Sequence, residues 1–201
     1  MTIPFINKDH PLILASASPR RKRLLAQIRL PFRVVPADVN EEEIRGDPAQ
    51  ICRSLAQKKA IRVHSPAETS WILGADTVVV IADRVIGKPR GAAEAGEMLE
   101  LLGGREHRVV TGFCILDPSG QTAHSEAVST VVRFKPLDDA EIQSYIRTGE
   151  PFGKAGAYAI QGIGAFMVES ISGSYTNVVG LPVCAVIRAL IQTGALERFP
   201  Y

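Results

Sequence analysis

The chain has 201 residues, 46% of them hydrophobic, and a formal charge of only +2. The hydrophobic share supports one large core or two small ones and argues against disorder, and the near-neutral balance argues against the broad cationic footprint of a general nucleic-acid binder. Cys52, Cys114 and Cys184 are odd in number, far apart and outside any CxxC pair. They indicate neither a disulfide framework nor a zinc site, and fit a reducing cytoplasm. The opening MTIPFINKDHP has no apolar signal core, and Arg188 interrupts the best apolar stretch, so neither export nor a membrane span is expected.

In chain order, Ile13 and Leu14 read as the end of a buried strand. Ser18 is placed to cap a helix whose first position is Pro19, with Leu24, Leu25 and Ile28 on one face. Arg20, Arg21, Lys22 and Arg23 then fill the opening turn. A helix N-terminus already carries about half a positive charge, so each of these cations costs about 0.3–1 kcal/mol. Strand, short small-residue turn, helix start and guanidinium groups describe a phosphate site, with Ser16 and Ser18 as donors. A solvated basic face on an ordinary amphipathic helix accounts for the same residues.

Phe32 to Val35 reads as a short strand leading into the acidic stretch Asp38, Glu41, Glu42 and Glu43. Asp47, Pro48 and Gln50 mark a second helix with Ile51, Leu55 and Ala56 on its apolar side. Ile72 and Leu73 open a strand, and Val78 to Ile81 pair with Val85 and Ile86 around Ala82, Asp83 and Arg84. Ala92 to Leu102 has helical periodicity ended by Gly103 and Gly104. Val109 to Leu116 and Ala127 to Phe134 flank a turn at Asp117 to Gly120 and predict a long antiparallel hairpin. Asp138 with Glu141 gives a capping signature for a helix carrying Ile142, Tyr145 and Ile146 and ending at Gly149. Ala165 to Ser170 predicts a strand, and Pro182 starts a last helix through Val186, Ile187 and Leu190. No repeat or composition break marks a second domain, so residues 1–201 read as one α/β domain with a mixed sheet, in two lobes around a cleft.

Asp76 is the strongest candidate for chemistry, because a carboxylate amid strand residues must be paired or used. Beside phosphates it can accept a proton from water or help hold a metal; otherwise it is a structural group that caps a turn or pairs with an arginine. Glu41 to Glu43 could offer a hard oxygen to magnesium or manganese, or form a solvated loop. Lys59 and Lys88 are candidate phosphate contacts or plain surface lysines. The segment Glu150 to Gly164, EPFGKAGAYAIQGIG, permits close backbone approach to a ligand, and Gln161 offers both a donor and an acceptor to a base edge. Neither GxGxxG nor GxxxxGK[ST] is present, which counts against Rossmann and P-loop readings.

Five motifs in order, LASASPRR (14–21), GADTVVV (74–80), GKP (87–89), KAGAYAIQG (154–162) and GSYTNVVGLP (173–182), resemble the Maf family of nucleotide pyrophosphatases. The resemblance spans nearly the whole chain. It implies a Maf/ITPase-like mixed twisted sheet with flanking helices, a cleft between two lobes, a divalent cation, and hydrolysis of a nucleoside triphosphate to monophosphate and pyrophosphate. By position it implies Asp76 as proton acceptor and Glu41 as the metal-associated carboxylate. Ser16, Arg20, Arg21, Lys59 and Lys88 would face the triphosphate. The SPRR, GADT and IQG forms are similar to those of the subgroup acting on dTTP and UTP, which implies that Arg20, Thr77 and Gln161 lie near the base. No stable nucleic-acid partner is expected, while modified pyrimidine nucleotides and a homodimer stay open. Lys22 and Arg23 have no support from the motifs and are expected to face solvent.

Three positions depart from the family's usual pattern: Gly153 for Asp, Ala159 for Gly, and Arg29 where Gly is common after the first helix, which implies a mildly strained left-handed residue. Two other readings use the same residues: a nucleotide-sensing or nucleic-acid-binding regulator without turnover, and a phosphatase releasing orthophosphate.

Overall fold

The structure is a computed structural model that describes residues 4–39, 46–65 and 69–200. The acidic run Glu41, Glu42 and Glu43 lies outside the described residues. The elements are α/β, and the sheet is mixed. Strand order is β2-β1-β3-β5-β6-β7, with β4 on β3. The chain divides into two compact units: Met1–Asp76 with Thr111–Val128 and Gly180–Tyr201, and Thr77–Val110 with Ser129–Val179. β3 (Ile72–Ile81), β5 (Glu106–Leu116) and β6 (Thr122–Phe134) each contribute residues to both.

In the first unit, β1 (Leu12–Leu14) is buried at all its positions and lies parallel to β2 (Phe32–Val34) and to the start of β3. This is the pattern of a strand covered on both faces. α1 (Pro19–Gln27) starts on Pro19 as the sequence predicts, and ends through Arg29 at φ 56°. That left-handed residue carries a Cβ, so it bears the strain expected of a non-glycine there. α2 (Pro48–Val63) is capped by Asp47, whose side chain accepts the N–H groups of Ala49 and Gln50. α2 packs on two glycines of the sheet. A Cβ on Gly74 would lie 2.0 Å from the Ala56 carbonyl oxygen, and one on Gly112 would lie 2.3 Å from the Cys52 carbonyl carbon. Helix and sheet therefore meet backbone to backbone. Ile13, Ala15, Ala56, Ala60, Ile72, Cys114 and Leu116 fill the core beneath. The unit ends in α6 (Val183–Gln192), which begins just after Pro182.

In the second unit, β3 turns into β4 (Arg84–Ile86) through Ala82 and Asp83, both at positive φ. Two successive left-handed residues match the twist of the flanking strands. Val79 and Ile81 on β3, Leu99 and Leu102 on α3 (Ala92–Leu102), and Ile142 and Tyr145 on α4 (Asp139–Arg147) share one core. The capping box at α4 forms in both directions between Asp138 and Glu141.

Several elements differ from the sequence reading: β5 and β6 start earlier, at Glu106 and Thr122 where Val109 and Ala127 are predicted. Ile163–Met167 form a 3-10 turn, and the strand predicted at Ala165 is β7 (Val168–Ser172), shifted toward the C-terminus and antiparallel to β6. Within Gly173–Pro182 a short helix, α5 (Tyr175–Val179), appears that the sequence did not announce. Asn177 explains it: buried, it donates to the Val109 carbonyl at 3.0 Å and to Thr130 Oγ1 at 2.9 Å. A tertiary amide anchor of this kind leaves no periodicity to read.

Candidate active site

The basic turn follows β1. Ser16 is buried, and its Oγ accepts the Ser18 N–H at 3.2 Å and Arg21 Nη1 at 3.1 Å. Arg21 Nε donates to the Gly180 carbonyl at 2.7 Å, so the guanidinium ties the start of α1 to the segment before α6. Ser18 stands at the cap position but makes no side-chain cap bond among the described residues, and the first turn holds no acidic residue. Its N–H groups and cations thus have no anion from α1 itself. Arg20 is half-buried and has neither an ion-pair nor a hydrogen-bond partner among the described residues. Burial holds its pKa below the ordinary arginine value. Lys22 is half-buried and Arg23 exposed.

Asp76 and Lys59 form the central feature of the first unit. Lys59 Nζ lies 2.6 Å from Asp76 Oδ1, and both residues are buried. The local geometry follows from Gly74. Residues 74 and 76 share one face of β3, and the bare glycine lets α2 approach at Ala56, one turn before Lys59. Two residues expected to face a substrate are in this structure partners of each other, where the sequence reading had considered an arginine for Asp76.

In the second unit, Thr77 is half-buried on β3 and Lys88 is exposed beyond β4. The Gly87 carbonyl accepts the Gly156 N–H at 3.0 Å, which joins the GKP and KAGAY segments. Gly156 has φ 69°, and a Cβ there would lie 2.9 Å from Val79 Cγ2, so the segment sits closely on β3. Gly153, at φ 73°, has open space around its Cβ direction. Ala159 is buried and its φ is not positive, so the alanine carries no backbone strain. Gln161 has a side-chain oxygen that is buried without a hydrogen-bond partner among the described residues. An orphaned acceptor of this kind is costly unless a ligand supplies the donor.

Three further side chains have polar partners that the sequence does not reveal. His107 is buried, its Nε2 2.9 Å from the Tyr158 hydroxyl, and burial pushes its pKa down to about 4. Tyr145 and Glu150 bond to the backbone around Gln161. Tyr145 reads in the sequence only as an apolar position of α4, since its hydroxyl finds its partners outside the helix. For a metal, the donor chemistry among the described residues of this site is one carboxylate, Asp76, one of whose oxygens contacts Lys59. No group of three or more His, Cys, Asp or Glu able to hold an ion lies among the described residues. This donor set suits a hard cation shared with substrate phosphates better than a cage built by protein alone.

The chain is similar to known proteins along most of its length. The family described as Maf-like protein matches residues 11–193. The dTTP/UTP pyrophosphatase of Syntrophotalea carbinolica is 50% identical over 194 residues, covering 95% of this chain and 88% of that one. The dTTP/UTP pyrophosphatase of Citrifermentans bemidjiense is 53% identical over 190 residues, covering 94% and 98%. That of Halalkalibacterium halodurans is 46% identical over 190 residues, covering 94% and 99%.

Proposed function

The chain belongs to the Maf family, and from that premise we propose that it hydrolyses dTTP and UTP to the monophosphate and pyrophosphate. The single observation that carries the chemistry is the buried pair of Asp76 and Lys59, in the same compact unit as an α1 start rich in cations. Arg20, Arg21 and Lys59 neutralise the triphosphate, with Lys88 as a further contact and Ser16 holding Arg21 in place. Arriving phosphate competes with Asp76 for Lys59, and the released carboxylate accepts the proton of water. The water oxygen bonds to the α-phosphorus, the α–β bridging bond breaks, and its electrons leave with pyrophosphate. Positioning and charge neutralisation supply most of the acceleration.

Asp76 and the substrate's own oxygens would hold a magnesium or manganese ion, with Glu41 as the further carboxylate implied by the family resemblance. When bound, such an ion draws charge from the phosphates and favours departure of pyrophosphate. Thr77 and Gln161 select the base. The orphaned Gln161 oxygen supports this, since uracil and thymine offer an N3–H donor that it lacks. No helix among the described residues is long and apolar enough to cross a membrane. Three free thiols support a cytoplasmic setting.

The test is product identification on dTTP and UTP with magnesium or manganese, for the wild type and Asp76→Asn. One pyrophosphate per nucleotide is expected, with turnover falling roughly 100-fold or more in the variant, the scale of a lost general base. Orthophosphate as the first product, or binding without release, would replace this reading with the phosphatase or regulator. Undiminished turnover in Asp76→Asn would remove Asp76 from the reaction.

A further inference from the structure

Gln161 lies between two short 3-10 turns, Ala155–Ala157 and Ile163–Met167, on backbone with no regular structure of its own. Gly162 and Gly164 flank Ile163, and the 3-10 turn that follows starts only at Ile163. Two side chains hold this backbone. The Tyr145 hydroxyl oxygen accepts the Ala159 N–H at 3.2 Å and donates its proton to Glu150 Oε2 at 2.8 Å. Glu150 Oε1 accepts the Ile163 N–H at 3.0 Å, and Oε2 accepts the Gly164 N–H at 2.8 Å. The backbone is therefore fastened two residues before Gln161 and again two and three residues after it.

The fit is close on both sides. A Cβ on Gly162 would lie 2.1 Å from Glu150 Oε1, and one on Gly164 would lie 2.6 Å from the Tyr145 hydroxyl. Side chains at those positions would displace the carboxylate or the phenol. Burial raises the Glu150 pKa, but the Gly164 N–H, the Tyr145 hydroxyl, the Ile163 N–H and nearby Lys154 together outweigh it and leave the group below its ordinary value. The carboxylate is thus an ionised acceptor at neutral pH, and each bond to it is charge-assisted.

We propose that Tyr145 and Glu150 are positioning residues for base selection, holding the Ala159–Gly164 backbone so that the Gln161 amide meets the base in one orientation. The inference rests on the reading of Gln161 as base-facing. Neither residue touches the triphosphate in this scheme. Loss of the Tyr145 hydroxyl leaves the Ala159 N–H without its acceptor and removes a donor from Glu150, so Gln161 samples more orientations. The cost falls on ligands that carry a base.

The test compares wild type, Tyr145→Phe, Gln161→Ala and the double variant. Each is assayed for kcat and KM and titrated for Kd with dTTP and dGTP, with inorganic tripolyphosphate as a probe that lacks a base. Tyr145→Phe is expected to raise KM and Kd for dTTP roughly three- to tenfold, the size of one net hydrogen bond, with kcat within about twofold. The preference for dTTP over dGTP should shrink by the same factor, and tripolyphosphate inhibition should not change. The double variant should be no worse than Gln161→Ala alone, because both act through one amide. Equal losses for dTTP, dGTP and tripolyphosphate, or additive losses in the double variant, would overturn the inference. A compressed preference in Gln161→Ala with none in Tyr145→Phe sinks the inference and spares the base reading. A wild type without base preference, or a Gln161→Ala variant that keeps it, sinks both. Amide exchange on the folded wild type adds a check independent of any variant. Ala159, Ile163 and Gly164 should exchange slowly, and exchange as fast as open loop amides would show that the clamp does not form.

Discussion

Replacing Gly74 with alanine tests the idea that a missing side chain on β3 sets the site. The new Cβ would lie 2.0 Å from the Ala56 carbonyl oxygen, 3.0 Å from the Ala60 nitrogen and 3.1 Å from the Ala56 carbonyl carbon. These are backbone atoms of α2, so no side chain can rotate away. A tolerable carbon–oxygen approach is about 3.3 Å, which requires helix and strand to separate by about 1.3 Å at this point. Lys59, one turn further along, would be carried with the helix, and its 2.6 Å contact with Asp76 would stretch beyond hydrogen-bond reach. Overpacking of this kind costs about 1–3 kcal/mol, or a drop of roughly 2–12 °C in melting temperature for a chain of this size.

Thermal unfolding and pyrophosphate release from dTTP read the two consequences separately. Both should fall. Gly96→Ala is the matched control, because its Cβ would meet only Ile146 Cδ1 at an ordinary 3.7 Å within α3. Alanine favours the helix there by about 0.5–1 kcal/mol, so this variant should melt at or above the wild type. A Gly74→Ala protein that melts with the wild type and keeps full turnover would refute both the close approach and its link to the Lys59–Asp76 pair.

Three more expectations follow from the same geometry. Lys59→Met leaves the Asp76 charge buried without its counter-ion and should cost about 3–5 kcal/mol in urea unfolding, most of which returns when Asp76→Asn is added; a double variant as unstable as the single would contradict this. Arg21→Ala should destabilise by about 1–3 kcal/mol because the Gly180 carbonyl and Ser16 hydroxyl lose their donor, whereas Arg20→Ala should leave unfolding within about 0.5 kcal/mol and raise KM for dTTP at least about tenfold. The reverse pattern would exchange their roles. His107 is neutral in the fold and has its pKa pushed below 6.5 to about 4, so the unfolded chain binds the extra proton between those values. Stability from this group is complete above about pH 6.5 and is lost as pH falls toward 4, by up to about 3 kcal/mol. His107→Gln should flatten that slope in pH-dependent unfolding, and an unchanged slope would place the titration elsewhere.

Much of this protein was legible because its elements announce themselves locally. Asp47 and the Asp138–Glu141 box mark helix starts with groups that bond within a few residues, and Pro19 marks one through a fixed φ at a position that needs no N–H. The β3–β4 turn follows from a break in an apolar run, and Arg29 falls where a helix must leave through a left-handed residue. β7 and α5 escape a local reading for the opposite reason. Val168–Ser172 become a strand by pairing with β6, and Tyr175–Val179 become a helix under an Asn177 bonded to Val109 and Thr130, partners about 50 to 70 positions away.

The candidate site divides in the same way. Residue types and motif order identified Asp76, the cation-rich helix start and the Gln161 segment, because a carboxylate in a strand and cations at a helix N-terminus are anomalies that any fold must resolve. How they are resolved was decided in three dimensions. Arg20 and Arg21 are neighbours with the same side chain, yet Arg21 is held by Ser16 and Gly180 while Arg20 has no protein partner among the described residues. Lys59 meets Asp76 because Gly74 admits α2. Tyr145 and Glu150 grip the backbone of Gln161, although nothing in their spacing points at it. Local sequence determines where charge and polarity stand along the chain, but the partner of a buried polar group is whichever atom packing brings within hydrogen-bond reach, and only the tertiary structure selects that atom.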